Sequence, residues 1–269
     1  MTLIITELSR YGIAMVADSA ITMNIILPET RTIGHRVYFG ATKLRPIPRL
    51  RAGISFWGQG QIGDIDTDVW LLNFIHRNED TCTNLEEFAF LLQDELRESV
   101  NEITNPEELR YGNLGFHLAG YTDYEGNLWP NFWHIHNGQS EVFSSINPRI
   151  INANQDLSPE RARNEIANVI RAGTELWPQI RNGDFLTVYA PFTAIMNQLC
   201  TYLRANRDVI IPIRSLKGRS EFLAFQIRTI RDLYGLSENL LPSIGGNVAV
   251  LTITPQGIQS YFNPYDTTL

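Results

Sequence analysis

The chain has 269 residues, 22 Lys and Arg against 29 Asp and Glu, a formal charge of −7, and 43% hydrophobic residues. That composition is globular rather than disordered, long enough for a full core, and too acidic for a dedicated nucleic-acid or anionic-membrane binder, which needs clustered Lys and Arg. No apolar run approaches the roughly 18 residues of a membrane span; the start, Met1 to Glu7, lacks the basic region of a signal peptide; and Cys82 and Cys200 are too far apart for a metal knuckle, so reduced cytoplasmic thiols are expected.

Residues 2–8 and 13–17 are apolar, β-branched runs on either side of Arg10-Tyr11-Gly12, which predicts a hairpin. A hydrophilic stretch with Pro28 and Gly34 follows. Strand-like runs then cover 37–44 and 50–56. Asp66 or Thr67 can cap a helix over 66–77. Thr83 and Glu86 have capping-box spacing for a second helix over 83–104, with Phe88, Leu92 and Leu96 on one face, read as core or subunit contact. Strands return at 114–121 and 128–135, joined by a turn at 123–127. Ser158-Pro159-Glu160 starts a helix that Gly173 stops. Further helices are expected over 192–205 and 221–234, and strands over 246–254 and 258–262. Nothing low in complexity divides the chain, so residues 1–269 read as one domain: helices outside, two antiparallel sheets inside, with an insertion around 137–216.

The chemistry begins at the second residue. Methionine aminopeptidase removes an initiator Met before a small side chain, which would make Thr2 the amino terminus. Its hydroxyl is then a nucleophile and its α-amine, with an ordinary pKa of roughly 7.7–8, a base tethered to the same residue. The second strand ends in Val16-Ala17-Asp18-Ser19-Ala20, Lys43 lies one strand later, and Gly53-Ile54-Ser55-Phe56-Trp57-Gly58-Gln59-Gly60 runs a strand into a glycine-rich turn.

In this order the residues resemble the proteasome β-subunit family and its bacterial relatives among the N-terminal nucleophile (Ntn) hydrolases. The segment Ser243-Ile244-Gly245-Gly246-Asn247-Val248 before the closing hairpin adds to the likeness. The resemblance implies an α+β fold, the four-layer αββα sandwich. It implies Thr2 as nucleophile, Asp18 as the carboxylate that holds Lys43, and Lys43 as the cation beside the Thr2 hydroxyl. It further implies the Gly58 amide as oxyanion donor and the Thr22 backbone as the partner of an extended peptide. Gly58 aligns with one residue inserted after Lys43. No Asp precedes Ser243, and Ile244 separates it from the two glycines, so Ser243 and Glu238 are stand-ins for the family's accessory groups.

The resemblance implies peptide or amide cleavage through an acyl-ester on Thr2, with no metal or organic cofactor. It also implies a peptide or protein substrate, a homo-oligomer, and a separate ATP-driven unfoldase. Two alternatives stay open: a catalytically silent structural subunit, and a transpeptidase or small-amide hydrolase on the same scaffold. His134 and His136 share a strand face, with His117 on the preceding strand. No acidic or Cys-rich partner accompanies them, and a half-exposed strand face is expected. Gly58-Gln59-Gly60 lacks the Lys-Ser/Thr of a phosphate loop.

Overall fold

The structure, a computed structural model, describes residues 2–26, 33–101, 114–124, 126–136, 149–152, 176–183, 189–207, 214–237 and 243–263. Two five-stranded antiparallel sheets carry the fold. The first is built from β1 (Leu3–Ser9), β2 (Gly12–Asp18), β12 (Leu176–Gly183), β13 (Val248–Thr254) and β14 (Gly257–Phe262), in the order β12-β1-β2-β13-β14. The second uses β5 (Leu44–Ile47), β6 (Ala52–Gly58), β9 (Leu114–Tyr124), β10 (Asn127–His136) and β11 (Arg149–Asn152), in the order β11-β10-β9-β6-β5. β3 (Ala20–Ile26) and β4 (Ile33–Phe39) form a separate ribbon, and β7 (Gln61–Ile62) and β8 (Ile65–Asp66) a short hairpin. Among the described residues the helices are α1 (Thr67–Asn78), α2 (Leu85–Asn101), α3 (Ala190–Arg207) and α4 (Leu216–Leu236).

Every residue of β1 and β2 is buried. This explains the apolar runs Leu3–Ile5 and Ile13–Ala17, since a strand covered on both faces has no solvent side to alternate with. Successive residues feed different clusters. Leu3, Ile5, Ala14 and Val16 meet Leu223, Ile227 and Ile230 of α4. Ile4, Leu8, Ile13, Met15 and Ala17 meet Leu44, Ala119, Phe132 and Leu251 between the sheets. On the far side, Phe56, Phe116, Leu118 and Ile135 meet Trp70, Phe74, Phe88 and Leu92 of α1 and α2. Each of the larger aliphatic and aromatic side chains among these contributes roughly 1.5–3 kcal/mol on burial.

Several expectations change in detail. The hydrophilic stretch after Asp18 is the β3–β4 ribbon, whose seven residue pairs run from Ala20↔Phe39 to Ile26↔Ile33. The strand expected over 37–44 is therefore two, broken at Gly40 with φ 127°. The strand expected from 50 begins at Ala52, because Pro48–Leu50 is a 3-10 turn closed by Arg51 in the left-handed region. The second helix caps one residue later than expected. Asn84 Oδ1 accepts the Glu87 amide at 2.9 Å, and the Glu87 carboxylate returns to the Thr83 amide at 2.8 Å. α4 starts at Leu216, five residues before the expected 221, with Ser215 Oγ accepting the Gly218 amide. The stretch read as an insertion supplies an edge strand to each sheet, β11 beside β10 and β12 beside β1. The helix expected from Ser158 to Gly173 lies outside the described residues.

Candidate active site

The site is assembled where β1 begins and β2 ends. Thr2 precedes β1 and is buried, as are Asp18 and Lys43. The antiparallel register of β1 on β2, Ile4 opposite Ala17, brings Asp18 to the start of the chain. There Asp18 Oδ1 accepts the Leu3 amide at 2.9 Å. Its other oxygen accepts the Ala20 amide at 3.1 Å and the Gly245 amide at 3.0 Å.

Lys43 arrives from the linker after β4. The Gly40 and Ala41 amides donate to the Ser19 carbonyl at 3.2 Å, and the Phe56 amide donates to the Lys43 carbonyl at 3.1 Å. Asp68, in the first turn of α1, accepts the Thr42 amide at 3.1 Å. Lys43 Nζ then donates to Thr2 Oγ1 at 2.6 Å, to Asp18 Oδ1 at 2.9 Å, and to the Ala20 carbonyl. These three acceptors use all three protons of an ammonium. Asp18 thus accepts three backbone amides and the Lys43 ammonium, and these charge-assisted bonds fix its position. Burial pushes the Lys43 pKa down, while Asp18 and, more weakly, Asp68 oppose the shift. A desolvated cation against a hydroxyl favours the alkoxide electrostatically.

Gly58 ends β6 with φ 94°, two residues after the Phe56 amide that holds Lys43. Thr22 lies half-buried on β3, opposite Val37. Ser243 is fully buried, and its Oγ has no hydrogen-bond partner among the described residues. Glu238 lies outside the described residues.

Four contributors escaped the sequence reading. Ser19 ties the C-terminal segment to β2, donating its amide to the Gly245 carbonyl at 3.1 Å and accepting the Asn247 amide on Oγ at 2.9 Å. Gly246, with φ 70°, permits that approach, since a Cβ there would sit 2.1 Å from Ser19 Oγ. Gly183 lies against Thr2: its φ is 113°, and a Cβ would fall 1.6 Å from the Thr2 carbonyl oxygen. Asp68 holds the Thr42 amide, next to Lys43, from the first turn of α1. None of these has a local signature, because each acts on a residue distant in sequence.

The three histidines are not a half-exposed face. His117 is completely buried, His136 is 3% exposed, and only His134 is half-buried. Their rings lie in the layer between the sheets, where His117 bonds Thr6 Oγ1 at 3.0 Å and Asn182 Oδ1 at 2.7 Å. Among the described residues no group of three His, Cys, Asp or Glu is placed to hold a metal ion. No described helix is long and apolar enough to cross a membrane.

No family model matches the chain, and no curated protein matches it. Among solved structures, the chain is similar to a Gly-1 mutant of Anbu from Hyphomicrobium sp. strain MC1. The TM-score is 0.52 at 14% sequence identity, over 97% of this chain and 86% of that one. Anbu is a bacterial proteasome-like protein. At that identity the likeness is one of fold: a mixed α/β arrangement of antiparallel sheets, distantly proteasome-like.

Proposed function

We propose that the chain is a threonine-type Ntn hydrolase on a four-layer αββα sandwich, cleaving peptide or amide bonds after removal of Met1. The observation that carries this reading is the Lys43 Nζ contact to Thr2 Oγ1 at 2.6 Å, with Asp18 holding the same ammonium at 2.9 Å. Thr2 Oγ would attack the scissile carbonyl while its proton passes to the freed α-amine. The Gly58 amide would donate to the oxyanion. The α-amine would then protonate the leaving amine, and water would cleave the acyl-ester and restore the hydroxyl. The substrate is a peptide or protein, the assembly a homo-oligomer, and any unfolding of large substrates falls to a separate ATP-driven partner. A transpeptidase or small-amide hydrolase differs only in the acyl acceptor or the size of the substrate.

One observation favours a second reading, a catalytically silent subunit. Residues 238–242 carry no Asp, and Ser243 Oγ lacks a partner among the described residues, so the accessory groups around the amine differ from the family's. Intact mass of natively initiated protein, followed by labelling with a peptide epoxyketone, separates the two. Epoxyketones need both the hydroxyl and the free amine of one residue. The hydrolase reading expects loss of Met1 and a label on the N-terminal peptide that Thr2→Ala abolishes. Processed wild type that takes no label leaves the silent reading standing, and Lys43→Ala that labels as fast as wild type removes Lys43 from the mechanism.

A further inference from the structure

Trp57 stands between two backbone groups of the site: Phe56, whose amide holds the Lys43 carbonyl, and Gly58, where β6 ends. Its half-buried indole packs against the inter-sheet cluster. It lies across Gly115, where a Cβ would sit 2.4 Å from the indole nitrogen. From there Nε1–H donates to His134 Nε2 at 3.2 Å, with ring centroids 5.9 Å apart. An acceptor Nε2 puts the His134 proton on Nδ1. His134 is itself braced, stacked on His136 at 4.1 Å and set edge-on to His117 at 5.2 Å. His117 in turn bridges Thr6 of β1 and Asn182 of β12.

This chain of contacts has no role in the chemistry set out above, yet it ends on the residue next to the proposed oxyanion donor. A glycine with φ 94° has no side chain to fix its own amide, so its direction depends on its neighbours. Resting on the hydrolase reading, we infer that Trp57 and His134 are a positioning pair for the Gly58 amide: the indole–imidazole hydrogen bond across Gly115 aims the end of β6 at the oxyanion. Gly115 is then required because only a residue without a Cβ lets the indole cross β9.

The test is saturation kinetics of labelling by a peptide epoxyketone, whose ketone becomes the oxyanion when Thr2 attacks. Wild type, Trp57→Phe, Gly115→Ala, His134→Leu and His134→Gln are compared, each with its thermal unfolding midpoint. Trp57→Phe, Gly115→Ala and His134→Leu should each lower the maximal labelling rate about tenfold or more, with half-saturation within about twofold, because losing an oxyanion donor outright costs roughly 10²–10³. His134→Gln, which restores an acceptor, should stay within about threefold of wild type. If Trp57→Phe does not fold, the His134→Leu and His134→Gln comparison reads the same bond from its other end. Wild-type rates in folded Trp57→Phe, an effect confined to half-saturation, or equal loss in both His134 variants overturns the inference and leaves the hydrolase reading intact. Processed wild type that takes no label overturns both.

Discussion

The Gly245 amide donates to Asp18 Oδ2 at 3.0 Å, so the segment before the last hairpin and the end of the second strand share one buried carboxylate. The other carboxylate oxygen holds both the Leu3 amide and Lys43. Asp18 therefore fixes the direction of the chain at Thr2, the position of Lys43 and the docking of residues 243–247 together. Asp18→Asn keeps the shape but replaces one accepting oxygen with a donor, which faces amides or an ammonium wherever it is placed. We expect a large loss of epoxyketone labelling, less than for Lys43→Ala, because Asn keeps the shape of the carboxylate and removes only the charge that holds Lys43. Equal labelling of Asp18→Asn and wild type would show that Lys43 needs no counter-charge here.

Gly246 carries the second prediction. Its φ of 70° strains any side chain, and a Cβ would collide with Ser19 Oγ. Gly246→Ala should destabilise the fold by about 1–3 kcal/mol through backbone strain and the displaced hydroxyl. It should also slow labelling, since residues 245–247 would move off Asp18 and Ser19. Urea denaturation and labelling rates on the same preparation check both. An unchanged denaturation midpoint would mean that the segment relaxes without cost.

Glu7 and Arg219 join the first sheet to α4 with two hydrogen bonds from the guanidinium to the carboxylate. Both side chains are buried, 3% and 4% exposed respectively. Removing one partner leaves an uncompensated buried charge, so Glu7→Leu or Arg219→Met alone should cost about 3–5 kcal/mol. The double variant should recover much of that, because an apolar pair of similar volume carries no desolvation penalty. A double-mutant cycle in urea tests the coupling, and simple additivity would remove it.

The parts of the site legible in sequence are those set by local pattern. Thr2 and Asp18 lie at the ends of strands that their own apolar runs announce, whereas Lys43, expected within a strand over 37–44, lies just before β5; the structure brings the three together. The β3–β4 ribbon was not legible, because Pro28 and Gly34 punctuate its sequence as a loop's would. β11 and β12 were missed for another reason: as edge strands they are fixed by pairing with β10 and β1 rather than by their own composition. The histidines were misread because a strand between two layers buries both faces, which a two-residue spacing alone does not reveal.

Self-association is expected from the helices over the second sheet. Val69 of α1 and Phe90 and Leu91 of α2 are 46%, 46% and 37% exposed. Exposed apolar side chains on adjacent helices mark interfaces. Light scattering should give a mass that is a multiple of the 30.6 kDa chain at micromolar concentration, and Phe90→Glu should reduce it. A mass of one chain for wild type would reject the assembly.

The histidines give a pH dependence of stability with a definite sign. Burial pushes His117 down to about 4 and His134 down to about 2, with neighbouring imidazoles adding to both shifts. In the unfolded chain both titrate near 6.5. Above that value neither state binds the proton and stability is at its full level. As pH falls below 6.5, the unfolded chain takes protons that the folded one refuses, and stability drops. His117 contributes to this loss down to about pH 4, and His134 continues below it. Each imidazole costs about 1.4 kcal/mol per pH unit across its window, the share of half-buried His134 being reduced by solvent at its edge. His117→Gln removes one titrating ring while keeping a donor and an acceptor for Asn182 and Thr6. Urea denaturation at pH 7, 6 and 5 should show wild type losing stability more steeply than His117→Gln, by about 1 kcal/mol per unit below pH 6. Carboxylates titrate alike in the two proteins and cancel in that difference. Parallel curves would mean that His117 is protonated in the folded state, and that Thr6 and Asn182 hold an imidazolium rather than a neutral ring.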